Sequence, residues 1–294
     1  MSLGDRRNLG LLASPHVDFD RVDVFGSLQD FLASIEKPCD MLNKDRASLG
    51  NSFPGLTPYA DCVKLARKGW PEGTQKIKKL SELLYNRVTA KSLKRQTQYR
   101  VAGGRVIVGR HLQGRPDCFQ YQPEVLDSIS KKGHKVIKIV HNISVSAAVS
   151  SEVIEARGAA VAALIDVLES QGRRVDLFVS HSVTSWASKS PVIIYIHIKQ
   201  ANEPLQLDQL AFVLAHPGML RRLQFSNMEH WPAKIRDEIG VSMGGAYGTP
   251  HVAPETGDIT ITTNPSYGDG DWKNPTTVVA WIIEQCKAQG IEFD

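Results

Sequence analysis

Short apolar runs alternate with helix-like apolar repeats through the second half of the chain. Four runs with the length and composition of buried strands cover residues 136–140, 174–180, 192–198 and 258–263. Between and after them, apolar residues at three- and four-residue steps predict helices over residues 151–170, 207–225, 232–239 and 276–289. The second of these helices should break at His216, because Pro217 has no amide donor. Strands that are apolar on both faces and alternate with helices predict a mostly parallel α/β sheet covered on both sides.

The first half of the chain has a different pattern. Helical spacing occurs over residues 27–35, 59–68 and 75–88, and Ser27 is a suitable N-cap for the first helix. Residues 100–108 surround Gly103 and Gly104 and predict a β-hairpin. Charge and polarity rise at residues 127–132, so we expect two parts: a mainly helical, basic region over 1–128 and an α/β domain over 129–294.

Composition is that of a soluble globular protein. The 294 residues are 42% hydrophobic and 22% charged, and no apolar stretch reaches the roughly 20 residues that cross a bilayer. The first twenty residues have no apolar core of a signal peptide, so we expect a cytoplasmic protein. The four cysteines are scattered without CxxC spacing, which indicates reduced thiols and no zinc site.

The net charge of +4 is unevenly distributed. Between Lys64 and Arg110 there are thirteen lysines and arginines against Glu72 and Glu82. This basic region, 64–110, predicts a contact with nucleic acid or an acidic partner. The alternative is a solvated face whose charge is balanced by acidic residues elsewhere.

The segment 134–172 contains the most distinctive pattern of polar residues. Asn142, Ser144 and Ser146 alternate directly after the apolar run 136–140, and an alanine-rich helix follows. Alternating residues of an extended chain point the same way, and the end of a strand that leads into a helix is the usual place for a binding site in α/β proteins. These three residues are therefore the candidate binding site.

Residues 133–294 resemble an intracellular von Willebrand factor A-like domain, of the kind found beside AAA+ ATPases and in bacterial and phage proteins. The resemblance rests on the opening strand, the Asn142-x-Ser144-x-Ser146 element, the long helix and the transition at Leu168–Phe178. Residues 204–229 are also similar to uncharacterised phage proteins with such a domain. The resemblance implies that the cytoplasm in which the protein acts is that of a bacterium or of a phage-infected cell. The family uses Asp-x-Ser-x-Ser, a threonine and a second aspartate to hold Mg²⁺, whose open position binds a partner's carboxylate.

In this chain Asn142 stands where the resemblance leads us to expect aspartate, so the metal-adhesion motif is degenerate. An asparagine offers a carbonyl oxygen without charge, which leaves Mg²⁺ poorly held unless other carboxylates approach. Candidate additional ligands are Asp208, Asp269 and Asp271, with Thr184 as a candidate for the threonine.

Other chemistry has weaker support in the sequence. His181 follows a strand and is expected near Ser144, and a Ser–His pair is the start of a nucleophilic site. No GxSxG turn and no glycine-rich phosphate loop are present, so we do not expect an enzyme. Arg221 and Arg222 are expected at an exposed helix end, paired with acids of a partner or with nearby acids.

We therefore expect a non-catalytic protein-interaction module, for example an adaptor of an AAA+ ATPase, that binds through Asn142, Ser144 and Ser146. A nucleic-acid-binding protein that uses the basic region and a virion or assembly component are the alternatives.

Overall fold

The computed structural model describes residues 21–38, 57–85, 98–102, 105–121, 136–185, 191–241, 247–253, 256–262, 272 and 274–289. The strands are β1 Val22–Phe25, β2 Gln98–Arg100, β3 Arg105–Val106, β4 Phe119–Tyr121, β5 Val136–Asn142, β6 Arg174–Thr184, β7 Val192–Lys199, β8 Thr249–Pro250 and β9 Ile259–Ile261. The helices are α1 Leu28–Ile35, α2 Tyr59–Lys68, α3 Pro71–Tyr85, α4 Val108–Leu112, α5 Ser151–Ser170, α6 Leu207–Ala215, α7 Phe225–Glu229, α8 Ala233–Ile239 and α9 Pro275–Ala288. A π-helical segment, Met219–Gln224, precedes α7.

A six-stranded, mostly parallel sheet forms the centre of the molecule. Its order is β1-β7-β6-β5-β9, and the short β8 pairs with β6. The pairs β1–β7, β5–β6 and β5–β9 are parallel, whereas β6–β7 and β6–β8 are antiparallel. The fold is thus mixed α/β with helices flanking the sheet, which confirms the predicted class and is compatible with a Rossmann-like arrangement.

Alternating side chains divide the strand residues between two apolar clusters. Ile139 of β5 and Leu177 of β6 belong to the larger cluster, with residues of the helices. Val140, Phe178 and Tyr195 lie in a smaller cluster, which contains no helical residue within the described ranges. The strands are buried on both faces, as the apolar runs predict. The described helices contribute their buried apolar residues to the larger cluster and, through Val153 and Ile154 of α5, to a third cluster with Val149.

Residues 21–38 and 57–85, in the first half of the chain, share this core. β1 lies parallel to β7, so it is a strand of the central sheet rather than part of a helical region. Phe31 of α1, Cys62 of α2 and Ile77 of α3 pack in the same cluster as Leu164 of α5. The predicted division into 1–128 and 129–294 therefore does not separate two cores, because these helices need α5 and the sheet to bury their apolar faces. The predicted boundary at 127–132 lies outside the described residues.

A second, small sheet has the order β2-β4-β3. Both β2 and β3 are antiparallel to β4, which lies between them. The hairpin predicted over 100–108 is therefore wrong in its pairing, since β2 and β3 contact β4 and not each other. A short helix, α4, connects β3 to the loop before β4. We call residues 98–121 the small-sheet unit.

Most predicted helices are confirmed with small changes at their ends. α5 covers the predicted residues 151–170, and Ser27 caps α1 by accepting a hydrogen bond from the Asp30 amide. The helix predicted over 207–225 breaks at His216, as expected from Pro217, and resumes as the π-helical segment.

Candidate functional site

The end of β5 contains a closed network of polar side chains. The Asn142 amide nitrogen Nδ2 donates to Ser182 Oγ at 2.8 Å, and Asn142 Oδ1 accepts from the Ser144 backbone amide at 2.9 Å. Ser182 Oγ in turn donates to the His251 carbonyl. Asn142, Ser144 and Ser182 are each 0% exposed. Their polar atoms therefore satisfy one another inside the protein, as buried polar groups must.

Ser144 and His181 do form the expected pair. Ser144 Oγ lies 2.8 Å from His181 Nδ1 and accepts from the Ser182 backbone amide at 2.8 Å. The Ser144 hydroxyl proton is then available to His181 Nδ1, which assigns the other ring proton to Nε2. Nε2 lies 3.4 Å from the sulfur of Met228.

This pair is not suited to nucleophilic catalysis. Ser144 is fully buried, so a substrate carbonyl has no access to its oxygen. Burial lowers the pKa of His181 to about 3, far from the value near 7 that suits a general base at neutral pH. Nε2 faces a thioether where an orienting carboxylate would be needed. The hydroxyl and imidazole instead connect β5 to β6.

The same network does not fit Mg²⁺. Asn142 Oδ1 and Ser144 Oγ are engaged by backbone amides, and the half-buried Ser146 Oγ accepts from the Ala148 amide at 3.3 Å. A hard cation needs several free oxygens, preferably with carboxylate charge. Within the described ranges there is no group of three or more histidines, cysteines and carboxylates that could hold a metal.

Two of the additional ligands expected from the sequence, Asp208 and Thr184, lie in the part of the chain that the structure describes. Asp208 lies at the start of α6, where its Oδ1 accepts from the Thr74 hydroxyl at 2.6 Å. The Thr184 carbonyl accepts from the Thr249 hydroxyl at 3.1 Å. Asp269 and Asp271 lie outside the described residues.

A recess lies beside this network, where β5 has parallel neighbours on both sides. Arg157 of α5 donates from Nη2 to the carbonyls of Asn142 and Thr262, both at 2.9 Å, and so joins the ends of β5 and β9. Nδ1 of His141 is buried there without a hydrogen-bond partner. Burial, and secondarily the charge of Arg157, holds the pKa of His141 well below its ordinary value. The recess is otherwise lined by Ile143, Val145, Val153, Ile154 and Leu214, and its volume of about 10 Å³ has room for no more than one water molecule.

Arg157 was missed by the sequence reasoning. Its signal is that it is the single cation of the alanine-rich helix and stands directly before the apolar run 158–165, which indicates a cation drawn into the interior by carbonyl groups. Because its two contacts are backbone oxygens at strand ends, its evident role is to hold the ends of β5 and β9.

Arg221 and Arg222 are also in the interior, contrary to the expected exposed helix end. Arg221 Nη2 donates to the Val149 carbonyl at 2.5 Å, and Arg222 Nε donates to the Thr57 carbonyl at 3.3 Å. Backbone carbonyls rather than acids of a partner engage them, so they are not surface contacts.

The balance of charge differs between the beginning of the basic region 64–110 and the residues that follow. Three of its first six cations are in ion pairs: Lys64 with Asp61, Arg67 with Glu36 and Lys76 with Glu155. For these residues the alternative of a balanced surface is correct. Farther along, residues 83–116 contain no aspartate or glutamate but eight cations: Arg87, Lys91, Lys94, Arg95, Arg100, Arg105, Arg110 and Arg115. We call residues 83–116 the acid-free stretch.

The small-sheet unit, which overlaps this stretch, has an unusually apolar surface. Of seven large hydrophobic residues recorded as exposed in the described part of the chain, five lie here: Tyr99, Val101, Val106, Val108 and Leu112. Leu112 is 80% exposed and Tyr99 45%. Sequence reasoning missed these residues, because the valines beside Gly103 and Gly104 have the same pattern as buried strands.

Comparisons with known proteins give one match. A family model described as a domain of unknown function (DUF7192) matches residues 19–292, across the boundary predicted at 127–132. No curated protein and no solved structure matches the chain. In the described residues, no helix has the length and apolarity to span a membrane.

Proposed function

Because the chain belongs to a family described only as a domain of unknown function (DUF7192), we propose its function from geometry: it is a non-catalytic nucleic-acid-binding protein. The contact is made by the acid-free stretch 83–116, which includes residues 98–116 of the small-sheet unit. The observation that carries the proposal is the combination of eight cations without an acid and an exposed tyrosine within one segment.

Charge supports a polyanionic partner. The stretch has no acidic residue of its own, so its cations are balanced only by residues from outside it. In the small-sheet unit, Arg110 and Arg115 share one carboxylate, that of Asp117, which leaves a net positive charge at this point. Cations on a surface bind phosphates by releasing condensed counterions, which favours nucleic acid strongly at low salt.

The surface chemistry supports the same partner. Nucleic-acid-binding surfaces combine arginine with exposed aromatic rings, since every base has a face that can stack. Tyr99 on the edge strand β2 and the exposed Arg100 next to it offer this combination. A non-catalytic role is supported by the burial and low basicity of the Ser144–His181 pair.

The test is a titration of labelled oligonucleotides, single-stranded and duplex, at several salt concentrations. We expect the logarithm of the binding constant to fall linearly with the logarithm of salt concentration. Arg100→Glu should weaken binding by about tenfold and reduce the salt slope by about one, because one phosphate contact is lost.

Lys234→Glu is the matched control. Lys234 is exposed on α8, outside the acid-free stretch, and its substitution changes the net charge by the same amount. It should leave both affinity and salt slope near those of the unchanged protein. A binding constant independent of salt, or equal losses in the two variants, would refute the proposal.

A protein partner is the second candidate, favoured by the exposed aliphatic side chains Val101, Val108 and Leu112. This is the function expected of a von Willebrand A-type module, for instance an adaptor of an AAA+ ATPase. The mostly parallel sheet with flanking helices is compatible with that type of fold. Such a contact would use the small-sheet unit, because Asn142 and Ser144 are buried. Weakening by Leu112→Ser with little response to salt would favour this candidate.

A further inference from the structure

Tyr99 is partly exposed to solvent, and a guanidinium group lies over its ring. The Arg110 guanidinium carbon lies 3.7 Å from the centre of the Tyr99 ring, which is the geometry of a cation–π contact. Arg110 Nη2 also donates to Asp117 Oδ2 at 2.6 Å, so the guanidinium is held from behind. Arg115 donates to both oxygens of the same carboxylate, at 3.1 and 3.3 Å.

This arrangement leaves one ring face available. Arg110 covers one face of Tyr99, yet 45% of the residue is exposed. A base that stacks on this ring would therefore use the face opposite Arg110. β2 is an edge strand of the small sheet, so no further strand in the described part of this unit covers Tyr99 from the side.

From this geometry we infer that the bound nucleic acid is single-stranded and that one of its bases stacks on the free face of Tyr99. The inference rests on the proposed function and specifies its ligand. Arg110 supports the ring from behind, and its charge adds to the attraction of the phosphate backbone.

The rest of the small-sheet unit agrees with a single strand rather than a duplex. Bases in a duplex are stacked on each other and present only their edges, so a ring on a sheet edge cannot stack on them. Duplex reading commonly places a helix in the major groove. The helix of this unit in the described residues, α4, has five residues, which corresponds to a length of about 7.5 Å.

The experiment compares Tyr99→Leu with Tyr99→Phe in the full chain. The ligand is an oligothymidylate with one 2-aminopurine, whose fluorescence falls when the base stacks, and a duplex of the same length serves for comparison. The leucine variant should lose about tenfold in affinity for the single strand, because leucine has bulk without a π face. Its salt slope should not change, since no phosphate contact is removed. The phenylalanine variant should bind as the unchanged protein does.

The stacking signal separates this role from a structural one. Quenching of 2-aminopurine should persist with Tyr99→Phe and disappear with Tyr99→Leu at saturating protein, while the thermal unfolding midpoints of the two variants stay close. The inference would be overturned if duplex and single strand bound with equal affinity and Tyr99→Leu had no effect. If Arg100→Glu still weakened the binding of both ligands in that case, the proposed function would stand. Failure to bind either form would overturn the proposed function itself.

Discussion

At the scale of single residues, the polar groups at the end of β5 serve folding rather than binding. Asn142 resembles a metal ligand in the sequence, but its amide uses both ends: Nδ2 donates to Ser182 and Oδ1 accepts from Ser144. An aspartate could not donate from the position of Nδ2. The asparagine is therefore the residue that this buried position requires, and the metal-adhesion motif is not needed to account for it.

Asn142→Asp tests this interpretation. At neutral pH we expect the free energy of unfolding to fall by about 3–5 kcal/mol, because an unpaired carboxylate would be buried. Asn142→Ala, which removes both hydrogen bonds without adding charge, should lose less. Urea unfolding with and without Mg²⁺ measures the free energy of unfolding of both variants. If Mg²⁺ restored the stability of the Asn142→Asp variant, the site would hold a metal.

At the scale of elements, the long helix α5 shows how contact geometry limits the choice of residue. Gly158 lies where α5 meets α6, and a Cβ atom there would collide with the Leu214 carbonyl oxygen. The collision is with backbone, which cannot move aside as a flexible side chain does. Helical spacing predicts α5 itself, since it depends on the order of apolar residues. The close approach to α6 depends on a partner about fifty residues away and was not predictable.

We expect Gly158→Ala to lower the free energy of unfolding by about 1–3 kcal/mol, although alanine favours a helix more than glycine does. The matched control is Gly109→Ala in α4, where a Cβ meets nothing within 4 Å. That control should change stability by less than about 0.5 kcal/mol. Urea unfolding curves give the free energy of unfolding of the two variants. If both substitutions changed it by the same small amount, α5 and α6 could move apart without loss of stability.

At the scale of the whole molecule, stability should depend on pH through buried neutral histidines. Burial lowers the pKa of His216 to about 4 and of His181 to about 3, and it holds that of His141 well below its ordinary value. Each folded-state pKa lies below the unfolded value of about 6.5. Between those values the unfolded chain binds more protons, so acid favours unfolding.

The stabilisation from these histidines is therefore complete above about pH 6.5 and is lost as pH falls toward their folded pKa values. At pH 5 we expect a loss of about 2 kcal/mol for each of His216 and His181, and a further loss in the same direction from His141. Urea unfolding at pH 7.5 and pH 5 measures the total loss in the free energy of unfolding. The slope of that free energy against pH gives the number of protons taken up on unfolding. Equal stability at the two values would mean that these imidazoles are protonated in the folded protein.

The sequence predicted the positive charge of the candidate binding surface, but not which of its side chains are paired or exposed. The basic region is visible in the sequence, because charge is a property of residue type. The pairing of Lys64, Arg67 and Lys76 with acids, and the exposure of Tyr99, depend on neighbours that local patterns do not specify. The pairing of Ser144 with His181 was expected, since both follow neighbouring strands, but their burial was not.

The sequence by itself determined the α/β class, the helix α5 and the strands β5 to β7, because apolar periodicity is local and reports which side of an element is buried. The tertiary structure alone decided that β1 joins β7, that β4 lies between β2 and β3, and that Asn142 and Ser144 are enclosed. These features depend on which distant segments pair and what covers each side chain. A pattern of apolar and polar residues predicts that a strand will find a neighbour, but the identity of that neighbour follows from packing of the whole chain.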